Sequence, residues 1–170
     1  MRGRAVLRLI PPPLARALLP LAHRIRHRWR RWRRQPLRGC AVVITNPAGE
    51  ILLLRHSYGP DVWALPGGGI GRGEAPEAAA RREIAEELGL RLGALHLLAQ
   101  AEEEISGSPH TAFVFTASTP KAPAPDRREV IEARFFASDT LPEPLGRITR
   151  SRLALWRAHA QPPAQPTLEQ

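Results

Sequence analysis

Three glutamates, Glu83, Glu86 and Glu87, lie close together in one short stretch of the chain. On a helix, residues three and four apart are neighbours, so this spacing brings three carboxylates together, and each like-charge pair costs about 0.2–0.5 kcal/mol. A shared cation would offset that repulsion, because carboxylate oxygens are the ligands that Mg²⁺ prefers. The alternative is a solvated helix face whose acids are balanced by Arg81 and Arg82.

The helix that carries these acids has clear start and stop signals. Pro76 suits a first helical turn, Glu77 favours the positive N-terminal end, and Gly89 can adopt the left-handed conformation that ends a helix. We therefore predict a helix over about 76–88. Its apolar stripe, which we expect to face a sheet, consists of Ala80, Ile84 and Leu88. The carboxylate face is expected to point away from the core.

Short aliphatic and β-branched runs on either side of this helix predict strands. Residues 40–46 and 50–56, joined by Pro47–Gly49, predict a hairpin. The stretch 57–69 is rich in glycine and proline and predicts a loop, apart from a few residues at 62–65. Three later strands and a second helix are predicted at 95–106, 110–118, 130–138 and 144–159.

Charge is distributed unevenly along the 170 residues. Residues 1–38 carry twelve arginines and no acid, whereas residues 39–170 carry thirteen basic and sixteen acidic residues. The length suits one domain, so we predict a mildly acidic body preceded by a basic extension. The single cysteine, Cys40, excludes an intramolecular disulfide and a cysteine-rich zinc site, and its place in a strand indicates packing rather than nucleophilic chemistry.

The basic extension has helical spacing over residues 14–34, where apolar and tryptophan residues recur at steps of four and three among arginines. This pattern predicts peripheral contact with an anionic membrane. A helix docked on the body and a disordered arm are the alternatives, and nucleic-acid binding and organelle targeting are less favoured. No run reaches the ~18–20 apolar residues of a membrane span. We expect a cytoplasmic protein, peripheral to a membrane if the extension binds lipid.

The body resembles the Nudix hydrolase family. A glycine, five residues, a glutamate, seven residues and then Arg-Glu-aliphatic-any-Glu-Glu-any-Gly-aliphatic form the Nudix box, and each element is present here: Gly68, Glu74, Arg82, Glu83, Ile84, Glu86, Glu87, Gly89 and Leu90. The resemblance covers about residues 39–160 and implies an α/β fold, a Nudix-type α/β/α sandwich with a mixed sheet. Charge and composition place a basic N-terminal helix or arm before it. We therefore divide the chain into 1–38 basic amphipathic extension, 39–160 Nudix domain and 161–170 disordered tail.

The resemblance also implies an activity. Family members hydrolyse the pyrophosphate linkage of a nucleoside diphosphate joined to another moiety, by attack of a metal-activated water on phosphorus. The implied cofactor is Mg²⁺, with Mn²⁺ as a substitute, and the partner is a nucleoside diphosphate derivative. A nucleotide-sensing Nudix-fold binding module and an RNA-directed Nudix pyrophosphohydrolase are the alternatives. The sequence does not specify which derivative is cleaved or the oligomeric state.

Roles for individual residues follow from the same resemblance. Glu86 and Glu87 are the first candidates for metal ligands, with a backbone carbonyl from Gly67 or Gly68, and Glu83 is either a third ligand or the general base. Arg82 is expected to orient a neighbouring glutamate, Glu74 to tie the loop to the helix, and Gly89 to support the box. Candidates for substrate contact are Gly67 and Gly69, together with Arg55 and His56 at the end of the second predicted strand, for which a hydrogen-bonded structural role is the alternative.

The resemblance also implies one further glutamate outside the box, as either a metal ligand or a general base. The candidates are Glu102, Glu103, Glu104, Glu129 and Glu132. We prefer Glu129 because it lies at the end of a loop, just before a predicted strand, where many relatives place such a residue. For each of these acids a solvated surface charge is the alternative.

Overall fold

The computed structural model of the chain describes Leu14, residues 37–105 and residues 108–160. The predicted N-terminal helix or arm, its membrane contact and the disordered C-terminal tail therefore fall outside the described residues, apart from Leu14 and the two positions at 37 and 38. The fold and the site below are built from the two long segments.

The described segments form six strands and two helices, with no helix long and apolar enough to cross a membrane. The strands are β1 Leu37–Thr45, β2 Ile51–His56, β3 Gly67–Gly69, β4 His96–Ile105, β5 Ser108–Ser118 and β6 Val130–Phe136, and the helices are α1 Pro76–Leu88 and α2 Arg147–Ala160. Apart from β3, each was predicted, with ends that differ by at most three residues.

All six strands belong to one mixed sheet of order β4-β5-β1-β2-β6, with β3 paired to β1. The central pair, β1 and β5, is parallel and in register from Leu37 opposite His110 to Thr45 opposite Ser118. The remaining pairs are antiparallel. The prediction of a mixed sheet is confirmed.

Alternating residues of the sheet build two apolar layers, one under each helix. The layer on the α1 face includes Cys40, Val42, Ile44, Leu52, Leu54, Ile84 and Leu88, and the layer on the α2 face includes Ala41, Val43, Ile51, Leu53, Trp63 and Leu153. Burying one such aliphatic side chain contributes about 1.5–3 kcal/mol. Because a helix covers each face of the sheet, the predicted α/β/α sandwich is confirmed.

α1 begins and ends as its sequence signals indicate. Pro76 is its first residue, and Gly89 follows its last residue with φ 64° and donates its N–H to the Ala85 carbonyl at 3.2 Å. Left-handed glycine at this position satisfies a carbonyl at the end of a helix. The helix is therefore fixed in length and presents its last two turns to the glycine stretch.

The prediction of a loop was wrong at Gly67–Gly69, which form β3. Gly67, Gly68 and Gly69 pair antiparallel with Ala41, Cys40 and Gly39. Gly67 has φ 148°, and a Cβ there would lie 2.2 Å from the Cys40 carbonyl oxygen. Only glycine permits so close an approach, and because glycine has low strand propensity the sequence carries no strand signal here.

Candidate active site

α1 holds the three box glutamates, and two of them are buried. Glu83 is 1% exposed and Glu87 4%, whereas the Glu86 side chain is 30% exposed. Glu83 and Glu87 belong to neither apolar cluster, and Glu83 lies against the glycine stretch, but both acids are buried rather than on a solvated face. Ala79, Glu83 and Glu87 are spaced by four, so they form a second buried stripe beside the apolar one.

Glu83 lies directly against β3. A Cβ added to Gly68 would lie 2.4 Å from the Glu83 carboxyl carbon and 2.6 and 2.7 Å from its two oxygens. The Cys40 thiol, in the layer on the same face, donates to the Gly68 carbonyl at 3.6 Å. The missing side chain of Gly68 therefore makes the space that the buried carboxylate fills.

Arg82 joins the loop, β3 and the helix acids. Its Nε and Nη2 donate to the two oxygens of Glu74 at 2.8 and 2.9 Å, its Nη1 to Glu83 at 2.8 Å, and Nη2 also to the Gly69 carbonyl at 3.2 Å. The Glu74 hydrogen bond raises the pKa of Arg82 above its usual range. A buried carboxylate such as Glu83 needs a paired charge, and Arg82 supplies it.

Glu74, in the loop before α1, contacts both Arg82 and the backbone of its own loop. Its Oε2 accepts from the Gly71 N–H at 2.7 Å in addition to Arg82. Since Glu74 precedes α1 and Arg82 lies within it, the pair fixes the loop to the helix. This geometry is compatible with the positioning roles that the family resemblance implies for both residues, which stay predictions.

The donor set on and next to α1 suits a hard divalent cation. Glu74, Glu83 and Glu86 lie within 3.6 Å of the Arg82 guanidinium, and Glu87 is buried on the same helix. When ionised, these four carboxylates exceed the charge of Arg82. Glu86 approaches Arg82 only at 3.6 Å. As their side chains stand, no three His, Cys, Asp or Glu residues in the described segments are arranged as a metal cluster. Oxygen donors with excess charge are the chemistry that Mg²⁺ requires.

The loop that carries Glu129 is fastened to the end of α1. The Asp126 and Ala124 N–H groups donate to the Glu87 and Leu88 carbonyls at 3.0 and 2.8 Å. The Asp126 carboxylate accepts the N–H groups of the next turn, from residues 128, 129 and 130, at 2.9–3.1 Å. The Tyr58 hydroxyl donates to Glu129 at 3.3 Å. The structure thus brings the Glu129 segment to the helix end that bears Glu87.

The other four candidate acids have different surroundings. Glu103 pairs with Arg152, and Glu132 pairs with Arg55 and Arg134. Glu102 accepts from the Thr111 hydroxyl at 3.0 Å, and Glu104 is exposed on β4. Among the five, Glu129 is the one whose own loop is hydrogen-bonded to α1 in the described segments.

Arg55 and His56 follow one another in β2 but contact different groups. Arg55 donates to Asp61 at 3.0 Å and lies over the Trp63 ring at 5.8 Å, on the α2 face. The Asp61 hydrogen bond raises the pKa of Arg55. The His56 ring contacts the Tyr58 ring, with centroids 5.2 Å apart. The structure brings His56 beside the Glu129 contact and holds Arg55 in a separate ion-pair group.

A cleft of about 250 Å³ opens beside β3. Its lining comprises Leu37, Arg38, Gly39, Cys40, Leu65, Gly67, Gly68, Gly69, His110 and Arg152. Burial raises the pKa of the Cys40 thiol to about 11, so this group is neutral at pH 7 and is not a thiolate nucleophile. Sequence reasoning missed His110 and Arg152, because each is isolated in the chain and only the fold brings them to β3.

Comparison with known proteins agrees with this geometry. A family model described as the NUDIX domain matches residues 35–156. A MutT NUDIX hydrolase from Burkholderia pseudomallei superposes with a TM-score of 0.65 at 34% identity, over 71% of this chain and 98% of that one. A MutT protein from Methanosarcina mazei, at 24% identity and a TM-score of 0.65 over 74% of this chain and 96% of that one, shares the fold.

Curated relatives match over a shorter stretch. An RNA pyrophosphohydrolase from Rhodospirillum rubrum is 42% identical over 53 residues, which are 31% of this chain and 32% of the relative. One from Yersinia enterocolitica is 47% identical over 58 residues, 34% of this chain and 33% of the relative. The chain thus spans about a third of the length of these curated relatives. The family match over most of the chain, together with the fold, shows that this protein belongs to the NUDIX family.

Proposed function

We propose that the protein hydrolyses the pyrophosphate linkage of a nucleoside diphosphate derivative in the presence of Mg²⁺. The observation that carries the proposal is the pair of buried carboxylates on α1 of a NUDIX chain, Glu83, which lies against β3, and Glu87. Burying two acids on one helix has a desolvation cost. Binding a cation for catalysis explains why the fold retains them.

Glu83, Glu86, Glu87 and the Gly68 carbonyl are the groups that would hold the metal ion. When bound, Mg²⁺ or Mn²⁺ screens the diphosphate charge and acidifies a water molecule. Arg82 holds Glu83 through one carboxylate oxygen at 2.8 Å, so it sets the orientation of that carboxylate. Glu129, on the loop fastened to α1, is assigned the removal of the proton from the attacking water. Its partner Tyr58 fixes the carboxylate for that transfer.

RNA with a 5′-polyphosphate end is the second candidate substrate. The relatives from Rhodospirillum and Yersinia are RNA pyrophosphohydrolases, and their identity to this chain reaches 42% and 47% over the matched third. A 5′-triphosphorylated RNA presents the same anhydride bonds as a nucleoside triphosphate. The same carboxylates would therefore act on either substrate.

A phosphate-release screen tests the proposed activity. We expect the purified protein with Mg²⁺ to cleave at least one of nucleoside triphosphates, dinucleotides, ADP-ribose, nucleotide sugars and 5′-triphosphorylated RNA. The triphosphates would release phosphate or pyrophosphate, whereas the other compounds would give phosphate monoesters such as AMP and ribose 5-phosphate, which are detected by chromatography. Product formation should stop on chelation and return with added Mg²⁺. The alternative, a nucleotide-sensing module, predicts nucleotide binding by calorimetry without product from any of these compounds, and that result would contradict hydrolysis.

Glu129→Gln is expected to lower kcat more than the corresponding changes at the other outer acids, Glu102, Glu103, Glu104 and Glu132. The reason is that the loop of Glu129 is tied to the Glu87 end of α1. The comparison is made by kcat of the five variants on the substrate found in the screen. A positioned acid or base typically contributes 10²–10⁴-fold, so we expect a loss of about 10² or more.

Tyr58→Phe serves as the matched test of this assignment. It removes only the hydroxyl that contacts Glu129, so we expect a loss of kcat smaller than that of Glu129→Gln. If another of the five glutamates gives the largest loss, Glu129 is not the catalytic glutamate outside the box.

A further inference from the structure

The cleft beside β3 is continuous with the carboxylate site through Gly68, which lines the cleft and also touches Glu83. Its volume of about 250 Å³ lies below the ~300–1,000 Å³ of pockets that enclose a whole drug-sized ligand. Leu37 and Leu65 supply apolar walls. A ligand whose diphosphate lies at the carboxylates can therefore place one flat ring system in the cleft.

Arg152 enters this cleft from α2 in a fixed orientation. Its Nε and Nη2 donate to the two Glu103 oxygens at 3.2 and 2.8 Å, and the two side chains are only 13% and 18% exposed. His110 contacts the same carboxylate, Nδ1 to Oε2, at 3.5 Å. A planar guanidinium bound side-on to a carboxylate has little freedom to rotate.

The ion pair changes what Arg152 can recognise. Because Glu103 neutralises the charge of Arg152, the ion pair is expected to attract a phosphate only weakly. The Arg152 guanidinium can still donate hydrogen bonds. A guanidinium has five N–H donors, and Glu103 occupies one on Nε and one on Nη2. The remaining donors include an end-on pair, one on each Nη, and Arg152 is one of the residues that line the cleft.

An end-on pair of parallel N–H groups matches two adjacent acceptors in one plane. Among the nucleobases, guanine and hypoxanthine present such a pair, the 6-keto oxygen and N7, whereas adenine presents an amino donor at the same edge. We propose that Arg152, fixed by Glu103, is a specificity-determining residue that selects 6-ketopurine nucleotides over adenine nucleotides. The inference rests on the proposed function, because it assumes that the ligand is a nucleotide.

Nucleoside monophosphates test this selection without any turnover, since they contain no anhydride bond. Calorimetric Kd values are measured for GMP, IMP and AMP with the full chain in Mg²⁺. We expect GMP and IMP to bind alike and each roughly tenfold or more tighter than AMP, the range for one bidentate contact. Tight GMP binding with IMP as weak as AMP would overturn the proposal, because it would place recognition at the 2-amino group.

Arg152→Lys is the decisive variant. Lysine keeps the charge for Glu103 but lacks the planar fork, so we expect the IMP preference over AMP to fall to about threefold or less. The matched control is Arg150→Lys, two residues before Arg152 and so on nearly the opposite side of α2, where the side chain pairs with Glu143. It should keep the wild-type ratio and the same circular dichroism melting curve.

The results also separate this inference from the proposed activity. A wild-type ratio near one, or an unchanged ratio in Arg152→Lys, would overturn the role of Arg152 even if the phosphate-release screen shows hydrolysis. Conversely, base selection in the binding assay with no product in the screen would support Arg152 and contradict catalysis.

Discussion

Replacing Glu87 by glutamine is expected to lower kcat by at least about 10², and Glu86→Gln should do the same. Each change removes one negative charge from a site whose catalysis depends on electrostatic stabilisation. Glu87 is 4% exposed, so glutamine retains its volume while removing the charge. The measurement is kcat against Mg²⁺ concentration on a substrate from the screen, with melting temperature as the check on folding.

Glu77→Gln is the matched control for these two variants. Glu77 lies in the first turn of the same helix, and its exposed side chain pairs with Arg81 at 2.9 Å. Such surface pairs contribute about 0–1 kcal/mol, so kcat and melting temperature should remain near those of the parent protein. Near-normal turnover of both Glu86→Gln and Glu87→Gln at saturating Mg²⁺ would exclude these carboxylates as the metal site.

Most of the fold could be predicted because local signals and the global packing agree. The helix α1 has proline at its start, glycine at its end and an apolar stripe, and the structure places it at Pro76–Leu88. The strands carry period-2 or continuous apolar patterns. β3 has neither, because Gly67–Gly69 form a strand through close approach to β1 rather than through side-chain packing.

The candidate site was only partly predictable, because part of it depends on close contacts between distant segments of the chain. The spacing of Glu83, Glu86 and Glu87 shows that they are neighbours, but it does not show that two of them are buried. Their burial depends on Gly68 having no side chain and on the 124–130 loop covering the end of α1. These contacts join parts of the chain that lie far apart in sequence.

Asp126, His110 and Arg152 were missed because each acts through a tertiary contact. Asp126 does have a local signal, since an aspartate that accepts N–H groups two to four residues later is typical of a turn. Arg152 has none, because nothing in the sequence of α2 indicates that it reaches Glu103 on β4. A role can be proposed for an isolated polar residue only when the fold shows which cleft it lines and which groups it contacts.

Gly68→Ala is expected to lower kcat by about 10² or more with only a moderate loss of stability. The new Cβ would lie 2.4 Å from the Glu83 carboxyl carbon, so the carboxylate must leave its place against β3 and its contact with Arg82. Overpacking of this kind costs roughly 1–3 kcal/mol. A displacement of about 1 Å in a positioned catalytic group can reduce the rate 10²-fold. The measurements are kcat and the free energy of unfolding.

Gly93→Ala isolates the effect of the close contact, because a Cβ at Gly93 has no heavy atom within 4 Å and lies outside the site. Its unfolding free energy should change by no more than about 0.5 kcal/mol, and its kcat should be unchanged. If Gly68→Ala keeps normal kcat while remaining folded, the contact between Glu83 and β3 has no catalytic role. If instead kcat falls while unfolding is little affected, the absent side chain of Gly68 is what places the carboxylate for catalysis.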